Sequence, residues 1–425
     1  MALLQLYRLA TRLATPLAGV ALNWRAAKGK EDPARLGERL GVPSRPRPDG
    51  RVVWLHGASL GETLSLLPLI ERFIQRGVDV LVTSGTVSSA RVLSARLPAG
   101  AFHQYAPLDA PKFVARFLAH WQPDLALFAE SELWPNMVAG VRQHGAPLAL
   151  VNARISNQSV ERWRRAPGAA RAVFGAIDLC LAQDSDNAAR FLALGAPHVR
   201  ISGNLKYDVP PPPVDAAQLA EFNGSIGARP LWAAVSTHPG EEEIIFDAHR
   251  AIAEKIPGLL TVIVPRHPER GADIAQRARD KKLAVALRTR DGEPRRDVEI
   301  YVADTMGELG LIFRSVNVVF MGKSLVPGGG QNPIEPAKFG CAVLHGPHVE
   351  NFTEVYAELA AAKAAARVTE AATLAKAAHY LLSDPARMRR MGRAGVETVE
   401  KLGGASRNIM AALDPFLAQG AVPEQ

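Results

Sequence analysis

The chain has 425 residues, with 50 Lys and Arg against 42 Asp and Glu, a formal net charge of +8 and two cysteines. That length exceeds one ordinary core and predicts two domains, while 48% hydrophobic residues exclude a disordered or polytopic chain. Cys180 and Cys341 lie far apart in apolar runs, which excludes a disulfide framework and a Cys-based metal site and favours a reducing cytosol.

A basic balance suits phosphate-rich partners. Residues 1–50 carry nine Lys and Arg against four Asp and Glu, so most of the excess lies at the start. No RNP, helix-turn-helix or zinc-finger pattern accompanies it and only 6% of residues are aromatic, so nucleic acid is not the expected partner. The first 24 residues are apolar but interrupted by Arg8 and Arg12, and the run Leu13 to Trp24 is too short to span a bilayer. Leu, Tyr and Trp beside scattered Arg predict a helix lying in the interface of anionic lipid; the alternative is a helix packed on the first domain.

Short apolar runs then alternate with helical patterns. In the first half they are 52–56, 80–84, 125–130, 148–152 and 179–183; in the second, 231–236, 259–265, 299–304, 316–322 and 341–346. Such runs predict buried parallel strands in βαβ units, and four consecutive prolines in 209–215 predict a stiff linker between the halves. The expected class is α/β, with two doubly wound, Rossmann-like domains facing a central cleft. The expected division is a membrane-associating segment 1–30, a domain 31–208, a linker 209–217 and a domain 218–425 with C-terminal helices. Ligands of such sheets sit at the carboxyl ends of the strands, so the loops after each run are where chemistry is expected.

After the first run, HGASLGET places Glu62 near a helix start. A carboxylate there can accept a proton from a hydroxyl, or simply cap the helix. TSGTVSSARV, from Thr83, is rich in hydroxyls and is either a phosphate or sugar loop or a plain N-cap. AESELWPN brings Glu130 and Glu132 beside Trp134, suited to a sugar or to helix capping. Arg154 and Lys206 each follow an apolar run and can neutralise a phosphate or remain solvated cations.

The second half has the marks of a nucleotide side. Ser236, Thr237 and Pro239 predict a helix N-terminus open to an anion. Arg266, with His267, ends the next run and suits one phosphate. Gly307 and Glu308 lie on a further loop. Gly322-Lys323-Ser324 is not a P-loop, because Asn317 stands where that motif needs glycine. Gly328, Gly329 and Gly330 allow close backbone approach to a ligand, and Asn332 and Glu335 follow at a helix start, where a carboxylate grips ribose hydroxyls. No histidine or cysteine spacing predicts a metal.

HGASLGE, ESELWPN, NARIS, GNLKYD, PRHPER, MGELG and GGGQNPIEP, in that order, resemble the Kdo (3-deoxy-D-manno-octulosonic acid) transferase family. The resemblance implies a GT-B fold, CMP-Kdo as donor, a lipid A precursor (lipid IVA) as acceptor, and inversion without a metal or other cofactor. It implies Glu62 as catalytic base, with Glu132 and Lys206 stabilising the transition state. Pro265, Arg266, His267, Met306, Gly307, Glu308, Asn332, Pro333, Ile334 and Glu335 fall in its CMP-contacting motifs. It also implies association with the cytoplasmic face of the inner membrane. Another sugar-nucleotide enzyme of this fold, a UDP-sugar transferase or epimerase, and a non-catalytic binder of anionic ligands are the alternatives.

Overall fold

The computed structural model describes residues 2–212 and 214–418. The chain divides into two compact units, Met1–Pro210 with Gly403–Gln425, and Pro211–Leu402. Each unit holds a seven-stranded sheet in which every pairing is parallel. In the first unit the strands are β1 (Val52–His56), β2 (Asp79–Ser84), β3 (Ala101–Tyr105), β4 (Leu125–Ala129), β5 (Leu148–Ala153), β6 (Leu179–Ala182) and β7 (Val199–Ile201), in the order β3-β2-β1-β4-β5-β6-β7. The second unit has β8 (Leu231–Thr237), β9 (Leu260–Pro265), β10 (Val285–Leu287), β11 (Ile300–Val302), β12 (Val318–Met321), β13 (Ala342–His345) and β14 (Ala365–Arg367), in the order β10-β11-β9-β8-β12-β13-β14.

The continuous apolar runs form strands because both faces of each sheet are covered. All five residues of β1 are buried. Trp54 packs on one face with Phe117, Trp121 and Phe128, and Val53 and Leu55 pack on the other with Leu69, Ile70 and Phe73. The ten predicted runs are the ten inner strands. The four strands outside the predicted runs, β3, β7, β10 and β14, are the sheet edges, where half the covering is missing and polar residues such as His103 or Arg200 are tolerated.

The strand order changes direction between β1 and β4 in the first unit and between β8 and β12 in the second. At such a switch point the loops leaving neighbouring strands turn to opposite sides and open a crevice at the carboxyl edge.

Two boundaries differ from the expected division. The N-terminal helix (Ala2–Ala14) is part of the first unit, held by Tyr7 Oη, which donates to Asp109 at 2.9 Å, and by Asn136 Nδ2, which donates to Thr11 Oγ1 at 3.1 Å. The C-terminal helix (Ala405–Ala418) also belongs to the first unit and not to the second. Its Ala405, Ile409, Met410 and Leu413 are buried in the first unit's core, where the helix packs against the helix Leu67–Gln75 and the turn Leu205–Tyr207. An amphipathic helix carries no label saying which sheet it covers, so the periodicity alone left this assignment open. The proline linker includes residue 213, which lies outside the described residues. Among the described residues no helix is long and apolar enough to cross a membrane.

Asp208 fixes the return. One carboxylate oxygen accepts from Gly404 N at 2.6 Å and the other from Ser406 N at 2.6 Å, so it caps a helix whose sequence position is almost 200 residues away. Asp208→Ala removes this cap. The expected outcome is a loss of about 1–2 kcal/mol in urea unfolding, with earlier proteolysis near Gly403; unchanged stability and cleavage would contradict the assignment.

Candidate active site

In the first unit the switch point gathers the loops after β1 and β4. Ser59 caps the helix Leu60–Ser65, and its Oγ accepts from Glu62 N at 3.3 Å. Glu62 closes the reciprocal half of the capping box by accepting from Ser59 N at 3.4 Å, and it also accepts from Ala58 N at 2.8 Å and from Ser59 Oγ at 2.6 Å. Gly57 makes this tight start possible, since a Cβ there would lie 3.0 Å from Glu62 Cβ. Helix capping by Glu62 is thus realised, and the same bonds aim a partly exposed carboxylate.

The loop after β4 brings Glu130 and Glu132 to this carboxylate. Glu130 has a left-handed backbone, φ 53°, a conformation that costs a non-glycine residue roughly 1–2 kcal/mol. Its side chain is paired with Lys206 Nζ at 2.8 Å. Lys206 stands on the short turn Leu205–Tyr207, and Asn152 Oδ1 anchors that turn by accepting from Leu205 N at 3.0 Å. Asn152 is itself left-handed, φ 51°. Glu132 accepts from the exposed Trp134 Nε1 at 3.0 Å. Burial pushes the Glu132 carboxyl above its ordinary range, the negative charges of Glu62 and Glu130 add to this, and the Trp134 bond opposes it.

These three carboxylates and one ammonium therefore form one electrostatic group. The structure brings together Glu62, Glu130, Glu132 and Lys206, which the sequence lists in three separate loops. Arg154 is exposed beside it, with its N–H directed to Glu130 O at 3.4 Å.

The second unit shows the opposite sign. Arg266 and His267 are exposed at the end of β9. His238, after β8, lies 6.1 Å ring to ring from His267. Burial lowers the His238 pKa most, the bond to Ser236 O opposes this, and the neighbouring Lys323, His267 and Arg266 lower it further. Lys323 thus belongs to the cluster although its motif is no P-loop. Ser236 and Lys323 repeat the strained backbone of the first unit, with φ 57° and 56°. Four of the seven left-handed non-glycine residues among those described lie at carboxyl ends of strands, two in each unit.

Glu241 holds this edge and was not distinguishable by sequence from its neighbours Glu242 and Glu243. It is fully buried and accepts from the N–H groups of His238 (2.9 Å), Lys323 (2.7 Å), Ser324 (2.9 Å) and Leu325 (3.0 Å). It ties the loop after β8 to the loop after β12. Gly322 permits the approach, because a Cβ there would meet Ser236 O at 2.4 Å.

The remaining expected ligands divide. Met306 is exposed and Gly307 has φ 91°. The Glu308 carboxylate is engaged by Arg288 Nη2 at 2.9 Å and by Thr305 Oγ1, and these partners hold its pKa below the usual range against the effect of burial. Asn332 Oδ1 accepts from Ile334 N at 3.1 Å and starts the helix Ile334–Lys338, which carries the partly exposed Glu335. Pro333 and Ile334 are buried under this turn, and Pro265 closes β9. The glycine loop is partly accounted for by packing. Asn351 Nδ2 donates to Gly328 O at 3.1 Å, and a Cβ on Gly329 would meet the same amide at 2.6 Å. Among the described residues no group of three or more His, Cys, Asp or Glu is arranged to hold a metal ion.

A family model for 3-deoxy-D-manno-octulosonic-acid transferase (kdotransferase) matches residues 34–209. The 3-deoxy-D-manno-octulosonic acid transferase of Haemophilus influenzae is 34% identical over 396 residues, covering 90% of this chain and 91% of its own. That of Bordetella pertussis is 34% identical over 429 residues, covering 97% and 99%. The crystal structure of UDP-GlcNAc 2-epimerase from Neisseria meningitidis bound to UDP-GlcNAc has a TM-score of 0.59 at 14% identity, covering 86% of this chain and all of that one. This last likeness bears on the fold alone, and with two parallel α/β sheets it identifies the architecture as GT-B. Identity at this level over nearly the full length of both chains is decisive: the protein belongs to the Kdo transferase family and is a glycosyltransferase.

Proposed function

We propose that the donor is CMP-Kdo, that the acceptor is a hydroxyl of a lipid A precursor, lipid IVA, and that transfer inverts the anomeric carbon without a metal or other cofactor. The observation that carries this reading is the carboxylate group at the first switch point, ion-paired to Lys206. In a single displacement the acceptor oxygen attacks the anomeric carbon as the bond to the CMP phosphate breaks. Glu62 takes the acceptor proton, which fits a carboxylate whose direction is fixed by backbone and hydroxyl donors. Glu132 faces the positive charge of an oxocarbenium-like centre and Lys206 the negative charge of the departing phosphate. Donor recognition falls to the second unit, with Arg266, His267 and Lys323 toward the phosphate and Pro265, Met306, Gly307, Glu308, Asn332, Pro333, Ile334 and Glu335 toward the nucleoside.

A lipid acceptor also gives a reason for the N-terminal surface. Leu3, Leu6, Leu9, Leu13, Leu17, Val20 and Trp24 are all more than half exposed, and their spacing puts them on one side of the helical segment 2–27. A solvated stripe of this kind is costly in water and natural at a bilayer interface. We assign it to the cytoplasmic face of the inner membrane, in keeping with two free, buried cysteines.

Three outcomes are expected. Wild-type protein, with CMP-Kdo and lipid IVA and no added metal, forms Kdo-lipid and releases CMP, and Glu62→Ala lowers kcat by at least about 100-fold; an undiminished mutant moves the base elsewhere. The acid limb of kcat/KM lies above the ordinary glutamate range, because activity falls as pH drops through the raised pKa of Glu132. Trp134→Phe removes the one bond that favours its charged form, so the limb moves to still higher pH; a shift downward would remove Glu132 from the reaction. Replacing Leu6, Leu13 and Leu17 together by Glu is expected to abolish co-flotation with vesicles while leaving CMP binding intact, and retained flotation would refute the membrane face.

A further inference from the structure

The helical segment 2–27 has three faces. One faces the domain through Tyr7, Thr11 and Ala18; a second is the exposed leucine stripe; Arg8 and Arg12 stand on a third, between them. Beneath Arg8 and Arg12 lies a cavity of about 750 Å³, bounded by this helix, the helix Pro111–Trp121 and the helix Pro135–His144. That volume is ample for a small-molecule headgroup.

The lining is chemically one-sided. Arg8, Arg12, Lys112 and His144 contribute the ionisable groups, and no Asp or Glu lines it. The neighbouring carboxylate Asp109 has both oxygens occupied, one by Met137 N at 2.8 Å and the other by Tyr7 Oη at 2.9 Å and Asn136 N at 3.1 Å. Pro111 and Lys112 begin an eleven-residue helix with no acidic residue in its first turn and no side-chain cap, so its N–H groups there are not capped by its own side chains. The floor is apolar, with Leu118 and Val114 packed against Gly140, where a Cβ would lie 2.6 Å from Val114 Cγ1.

We propose that this cavity is a binding site for the phosphate headgroup of an anionic phospholipid of the bilayer, separate from the acceptor site. This rests on the membrane-facing assignment of the leucine stripe. A helix lying in the interface with that stripe inward holds its flanking cations at headgroup depth, which is where the cavity opens. The cavity runs along the Pro135–His144 helix from Asn136 to His144, with Arg8, Arg12 and Lys112 toward its Asn136 end. None of Glu62, Glu130, Glu132, Trp134 or Lys206 lines it. Its role is to seat and orient the protein on the membrane.

The test uses the full chain and two triple variants, Arg8→Gln/Arg12→Gln/Lys112→Gln and, as a control for diffuse charge, Lys30→Gln/Arg91→Gln/Arg200→Gln. Binding is measured to phosphatidylcholine vesicles with and without phosphatidic acid. Thermal shift is measured with short-chain phosphatidic acid below its micelle threshold and with inorganic phosphate alone. Wild type is expected to favour the anionic vesicles and to be protected by the short-chain lipid more than by phosphate. The cavity variant should lose on the order of 100-fold in anionic-vesicle affinity, and the control far less. Equal losses in the two variants would reduce the effect to diffuse charge and overturn the site. Equal protection by inorganic phosphate would overturn the lipid assignment. Turnover with acceptor dispersed in uncharged detergent should be unchanged in the cavity variant; a raised acceptor KM there would assign the cavity to the acceptor and overturn its separateness. Absence of turnover in wild type would count against the proposed reaction and leave the vesicle result standing.

Discussion

A parallel sheet covered on both faces has no room for polar chemistry along its length, and this constraint organises both units. Every inner strand is buried from end to end or nearly so. Charged groups can therefore collect only where the strands finish. The reversal of strand order then selects one gap along that edge, between β1 and β4 and again between β8 and β12. Glu62, Glu130, Glu132 and Lys206 are near one another because of this topology. The strained backbones at Glu130, Asn152, Ser236 and Lys323 mark the same edges, where surrounding hydrogen bonds hold conformations that an isolated chain would seldom adopt.

The two edges carry opposite charge, and each is built differently. Carboxylates crowd the first, and only one of them is neutralised by an ammonium. Cations crowd the second, and the buried carboxylate there, Glu241, faces backbone N–H groups and not the cations. Glu241 thus shapes two loops.

Much of the architecture was legible because burial leaves a direct trace in composition. The ten inner strands announced themselves as apolar runs, and the loops after them held the residues that the family resemblance singled out. What escaped notice depended on information not carried locally. Edge strands such as Val199–Ile201 and Ala365–Arg367 are too short and too mixed to stand out. Glu241 looked like one of three equivalent acids at a helix start, although only the fold decides which of them is surrounded by N–H donors. Lys323 was set aside with the failed P-loop motif, and its place beside His238 depends on a contact between strands far apart in sequence. The Glu130–Lys206 pair spans 76 positions and is likewise a property of the fold.

The final helix has a bearing on how the protein is made. The first sheet is complete once Ile201 has been synthesised, yet one side of its core still lacks Ile409, Met410 and Leu413. Domains generally fold as units as they emerge during synthesis. Here the first unit must wait, with Leu205 and the flank of the helix Leu67–Gln75 lacking their C-terminal cover, while the ribosome makes the entire second unit. The nascent chain therefore carries an exposed apolar surface through roughly half of its translation, a period in which chaperone occupancy is physically favoured and in which a truncated product would be prone to aggregate.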